Sequence, residues 1–166
     1  MSMNKPLALM AGALALVALV TAANAGTMFR LEVGPPVAAG TATKILKNAK
    51  GKTVLAVRAV VCTDLAGVQL TGTAEGIRNG ARQSVPLDLL EVDKREAIYA
   101  VQYQWPEDGS WVLHLKGSCS NPKAEASTLV PMNKMAFLRD KTQVLREPAT
   151  KKQVEDAVKE VTRSQS

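Results

Sequence analysis

The chain has 166 residues and a formal net charge of +6, from 21 Lys and Arg against 15 Asp and Glu. That length suits one domain with a sizeable core. Only 4% of the residues are aromatic, which argues against a nucleic-acid surface of stacking rings set among cations.

Residues 1–25 read as a secretory signal peptide. Lys5 is the cation ahead of an apolar stretch ending near Val20, and Ala23-Asn24-Ala25 places small residues where a signal peptidase cuts. The apolar stretch falls short of the ~20 residues a membrane span needs. The mature chain is therefore expected to begin at Gly26, outside the cytoplasm and with no transmembrane segment. Loss of Lys5 takes the charge from +6 to +5. Cys62 and Cys119, an even pair in an oxidising compartment, are expected to form a disulfide.

Thr27–Val33 reads as a short strand stopped by Gly34-Pro35-Pro36. An edge strand is expected around Thr43–Leu46. Thr53–Thr63 is rich in Val and Leu and reads as a central strand, in which Arg58 either reaches solvent or marks a bulge. Val68–Ile77 alternates, with Val68, Leu70, Gly72 and Ala74 on one side. Asn79-Gly80 accepts positive φ at both turn positions and predicts a hairpin, with Gln83–Val92 returning as one partner strand. Glu96–Trp105 alternates again. After Pro106-Glu107-Asp108-Gly109, read as a hairpin loop, the next strand puts Trp111, Leu113, Leu115, Gly117 and Cys119 inward. His114 then points outward and is expected to be accessible. Glu125–Val130 supplies a last strand, and Met132–Arg146 packs on the domain. Thr150 with Gln153 forms a capping box. Val154, Ala157, Val158 and Val161 then trace one face of a helix from Lys151 to about Thr162.

These elements predict an all-β fold: an immunoglobulin- or fibronectin-III-like antiparallel sandwich with a short C-terminal helix. The expected divisions are a signal peptide at 1–25, the sandwich at 26–147, and a C-terminal amphipathic helix and tail at 148–166. Trp105–Leu115 resembles the late hairpin of small exported immunoglobulin-like bacterial domains of the FixH and YtkA type. Ala74–Gly80 with Arg82–Leu87 is similar to a pattern in exported bacterial proteins of uncharacterised families. Neither resemblance carries a catalytic or ligand-binding residue with it.

The side chains offer little catalytic chemistry. His114 is the sole histidine, and no serine sits in a Gly-x-Ser-x-Gly elbow. Glu107 and Asp108 adjoin in a loop, where paired acids more often solvate a bend than cleave a glycoside. His114, Met132 and Met135 form a candidate soft-ligand set for copper. Lys44, Lys47, Lys50 and Lys52 form the densest basic stretch, read either as edge protection or as an anionic-surface contact. The expected function is a non-catalytic exported binding or accessory domain with no cofactor, whose partner is a protein or an anionic envelope component rather than nucleic acid. A periplasmic copper-handling domain and a hydrolase with an unrecognised site are the alternatives.

Overall fold

The computed structural model describes residues 28–36 and 52–165. The expected signal peptide, the strand around Thr43–Leu46, and Lys44, Lys47 and Lys50 lie outside the described residues.

Ten strands among the described residues form two antiparallel sheets, and one α-helix lies outside them. The first sheet holds β1 (Arg30–Gly34), β2 (Thr53–Val60), β5 (Leu89–Asp93) and β6 (Ile98–Gln102) in the order β1-β2-β6-β5. The second holds β3 (Gln69–Arg78), β4 (Ala81–Pro86), β7 (Ser110–Ser120), β8 (Lys123–Asn133) and β10 (Gln143–Leu145) in the order β10-β8-β7-β3-β4. The two-residue β9 (Ala136–Phe137) pairs with β8. In immunoglobulin lettering, taken in chain order, the first sheet is A-B-E-D and the second is C′-C-F-G with an added strand beyond G. The fold is thus the expected all-β sandwich. Cys62, just beyond β2, is bonded to Cys119 on β7, which joins the B and F strands across the sheets.

Period-two alternation builds the core. Leu55, Val57 and Ala59 of β2 meet Ala74 of β3 and Trp111, Leu113 and Leu115 of β7 in one buried cluster, together with Val101 and Trp105. Trp111 faces Gly76 across the β3–β7 ladder. A Cβ at Gly76 would lie 2.5 Å from the indole, so only glycine lets the ring settle there. Arg58 points to solvent and pairs with Glu96, while the irregularity in β2 falls at Thr53–Leu55 instead. Asn79 (φ 52°) and Gly80 (φ 74°) make the predicted turn, with Arg78 opposite Ala81.

Three expectations are corrected. Gln83–Val92 is not one strand: the chain leaves the second sheet after Pro86 and enters the first at Leu89. The alternation Val85, Leu87, Leu89 runs unbroken through this crossing, so periodicity does not mark it. The Pro106–Gly109 loop is not a hairpin, because β6 and β7 belong to different sheets. β8 also runs well beyond Glu125–Val130, through Pro131. Proline is tolerated there because residue 131 faces away from β7, beyond the Ser127–Leu129 stretch that β10 pairs, and on that side it only accepts: its carbonyl takes the Leu138 amide at 2.8 Å.

The helix α1 (Lys151–Gln165) docks on the outer face of the second sheet. Its capping box closes in both directions: the Gln153 amide donates to Thr150 Oγ1 at 3.2 Å, and the Thr150 amide donates to Gln153 Oε1 at 2.8 Å. Val154, Ala157, Val158 and Val161 pack on Val112 and Leu129, giving a second, smaller core. No helix among the described residues is long and apolar enough to cross a membrane.

Candidate functional site

His114 lies on the outer face of β7, in the predicted phase, but it is not accessible. Only 7% of the residue is exposed, because α1 covers the strand's outer face as the first sheet covers its inner face. Its Nε2 is buried and has no hydrogen-bond partner among the described residues. An unpaired buried polar atom is costly, so native structures leave few of them. Burial, with Lys116 adding to it, pushes the imidazole below its usual pKa, and Glu75 partly opposes this. The ring is therefore neutral near pH 7.

Beside the imidazole lies a cleft of about 390 Å³, lined by Glu75, Arg82, His114, Ala149, Lys151, Val154 and Glu155. Three elements join β7 in building it. β3 supplies Glu75 on the same face as His114, since β3 and β7 are in register with Thr73 opposite His114 and Glu75 opposite Val112. β4 supplies Arg82, whose Nη2 donates to Glu75 Oε2 at 3.1 Å, and Ser84, whose hydroxyl donates to Glu75 Oε1 at 2.7 Å. The first two turns of α1 supply Lys151, Val154 and Glu155, with Lys151 and Glu155 paired at 3.9 Å. The Ala149 amide donates to Ser127 Oγ at 3.0 Å, which fixes the approach to the helix. The wall thus carries two cations, two carboxylates already partnered, a neutral imidazole and a small apolar floor.

A second cleft of about 350 Å³ sits at one end of the sandwich, lined by Tyr103, Glu107, Asp108, Lys134 and Met135. Tyr103 packs edge-on against Trp105 with ring centroids 4.8 Å apart, and its hydroxyl is buried without a partner among the described residues. Burial raises its pKa, with Glu107 and Asp108 adding to the effect. Asp108 takes two hydrogen bonds from Arg78 Nε, at 2.9 and 2.8 Å, and the Arg78 contact holds its carboxyl below the usual range. Asp108 therefore anchors the loop to β3.

The copper candidates do not converge. Met132 lies in the core opposite Trp111, and Met135 packs at the second cleft, whereas His114 faces the helix on the other side of the sheet. Among the described residues, no group of three or more His, Cys, Asp or Glu side chains is placed to hold a metal ion. Of the lysine stretch only Lys52 is described: its side chain is exposed, and its carbonyl accepts the Tyr103 amide at 2.8 Å. Sequence reasoning missed Glu75, Arg82, Lys151 and Glu155 as neighbours of His114. The available signal was the pair Val112 and Leu129, apolar side chains on an outward face, which require a cover.

Comparison of the chain with protein-family models, with curated proteins and with solved structures finds no match.

Proposed function

We propose that this chain is an exported, non-catalytic binding or accessory domain of the cell envelope or extracellular space, which engages a protein or an anionic envelope component. The observation that carries the reading is the Cys62–Cys119 bond between the sheets. Disulfides of this structural kind form and persist in oxidising compartments, in agreement with the signal peptide expected at residues 1–25. The bonded sandwich is a rigid frame of the sort that presents loops and edges to partners.

For an anionic partner, the Lys44–Lys52 stretch supplies the attraction. Exposed charges are screened over about 8 Å at physiological salt. Binding of the mature protein to anionic vesicles and to cell-wall fractions is measured across a salt series, for the parent and for the variant with Lys44, Lys47, Lys50 and Lys52 all changed to Gln. The expected result is parent binding that weakens steeply with salt, and a variant with lower affinity and a flatter salt slope. Equal binding by both, or binding by neither, overturns the anionic reading and leaves a protein partner.

A further inference from the structure

We propose that Asn79, at the tip of the β3–β4 hairpin, is a site of spontaneous deamidation through a cyclic imide with Gly80, and that the isoaspartate formed there opens the hairpin end. The inference stands independently of the partner proposed above.

The reaction needs a backbone nitrogen free to attack, a side-chain amide carbonyl within its reach, and room for a five-membered ring. Asn79 and Gly80 are the two central residues of the turn, and both are exposed. Arg78 and Ala81 oppose each other and close the ladder, so the Gly80 amide stands outside it, with no acceptor among the described residues. The Asn79 side chain has no hydrogen-bond partner among the described residues either. Glycine places no Cβ beside the attacking nitrogen, and a Cβ built at residue 80 meets nothing within 4 Å, so the approach is open. The imide ring holds the Asn79 ψ far from its value in the left-handed turn. Closure therefore proceeds from a transiently opened tip. β4 is the end strand of its sheet and pairs with β3 alone, and local opening of such an end costs far less than global unfolding.

The chemistry needs only water. The Gly80 nitrogen bonds to Asn79 Cγ, the Cγ–Nδ2 bond breaks, and Nδ2 leaves as ammonia with the proton that Gly80 gave up. Water then adds to one of the two imide carbonyl carbons and breaks its bond to nitrogen, restoring the Gly80 N–H. Opening at Cγ gives aspartate. Opening at the Asn79 main-chain carbonyl gives isoaspartate, with the chain now running through Cγ. Nothing is oxidised or reduced.

The molecule holds its own controls. Asn121 precedes Pro122, which has no N–H to give up. Asn133, opposite Ala136 at the end of β8, precedes Lys134, whose side chain crowds the nitrogen. The consequence follows from what Asn79 adjoins. Arg78 Nε donates to both oxygens of Asp108 at 2.9 and 2.8 Å, and the Asp108 carbonyl accepts Trp111 Nε1 at 3.0 Å. Isoaspartate lengthens the main chain by one carbon within a two-residue turn, which then no longer sets Arg78 opposite Ala81. Aspartate leaves the chain length as it was.

The mature protein, shown to be folded by circular dichroism, is incubated in mildly alkaline buffer and peptide-mapped at intervals, beside the same protein in urea. The expected result is a steady replacement of NH2 by OH at Asn79, read as mass, severalfold faster than at Asn133 and absent at Asn121. Gly80→Ala is expected to slow it severalfold, in urea as well as in buffer, so the comparison holds whether or not that variant folds. Asn79 left unmodified in the folded protein, or modified no faster than Asn133, overturns the site. Equal rates for Gly80→Ala and the parent in urea overturn the imide route. The isoaspartyl form, separated by ion exchange, is expected to lose hydrogen-exchange protection at the Ala81 amide, whereas Asn79→Asp keeps it. Full protection in the isoaspartyl form overturns the opening of the hairpin end.

Discussion

Val61 adopts a φ of 63°, in the left-handed region that a β-branched side chain rarely enters, and it is 37% exposed beside the bonded Cys62. That conformation costs an L-residue about 1–2 kcal/mol, and glycine removes the cost at an entropic penalty of about 0.5–1 kcal/mol. Val61→Gly is therefore expected to stabilise the protein by about 0.5–1 kcal/mol in urea unfolding, while Val61→Ala keeps most of the strain. His114 makes the opposite kind of statement. Its pKa is lowered in the folded state by burial and by Lys116, so the unfolded chain binds the proton more readily. Stability is then fully present above the unfolded histidine value of about 6.5, and it is lost as pH falls through the lower folded value. The slope within that window is at most about 1.4 kcal/mol per pH unit. Because this is the sole histidine, the upper end of the window, just below the unfolded value, lies above the carboxylates, whose losses come at lower pH. Urea midpoints measured from pH 7.5 downward, for the parent and His114→Gln, are expected to show a slope in the parent that the variant lacks.

At the level of elements, α1 decides what the second sheet's outer face becomes. Its apolar stripe was legible in the sequence at Val154, Ala157, Val158 and Val161, as was the Thr150–Gln153 cap. The inward set Trp111, Leu113 and Leu115 was legible too, because a two-residue period leaves no freedom once a turn fixes the start. The sheet on which α1 docks was not legible. That is a long-range choice, signalled by Val112, Leu129 and Ile77, apolar side chains on an outward face that is otherwise largely polar, and it is why His114 is buried rather than accessible. The cleft was illegible for the same reason: it exists only where β3, β4 and α1 meet. Two substitutions separate the helix's own stability from its docking. Thr150→Ala removes the cap and is expected to cost about 1 kcal/mol with docking retained. Val158→Asp buries an unpaired carboxylate against Val112 and Leu129, which undocks the helix. Hydrogen exchange is expected to show lost protection along α1 and at the β7 and β8 amides beneath it, with β2 and β6 of the first sheet still protected. Equal loss in both sheets would show that the sandwich cannot stand without its helix.

For the whole molecule, the two layers are held by one apolar core and one covalent link, and the two contribute differently. The core reaches from Leu31 to Met132 through both sheets, and burial there works only in the folded state. The Cys62–Cys119 bond acts mainly on the unfolded chain, by closing a loop of sequence separation 57. In the chain-entropy view a loop of that size contributes about 3–4 kcal/mol. The ion pairs that decorate the surface, such as Arg30–Glu32 and Lys152–Asp156, are solvent-exposed and worth at most about 1 kcal/mol each. The disulfide therefore outweighs any of them. Reduction is expected to leave the sandwich folded at room temperature, because the 141 residues that follow the expected cleavage site are enough to bury a core of their own. The same reduction is expected to lower the melting temperature by roughly 10 °C, since 1 kcal/mol corresponds to about 2–4 °C or somewhat more at this size. Circular dichroism melts with and without reductant, with alkylation and intact-mass measurement to confirm the redox state, test both halves of the statement. An unchanged melting temperature in the fully reduced protein would mean that the link adds nothing to the core. Loss of the β-sheet signal on reduction at room temperature would mean that the core alone does not hold the sheets together, and that the fold depends on the compartment in which the bond forms.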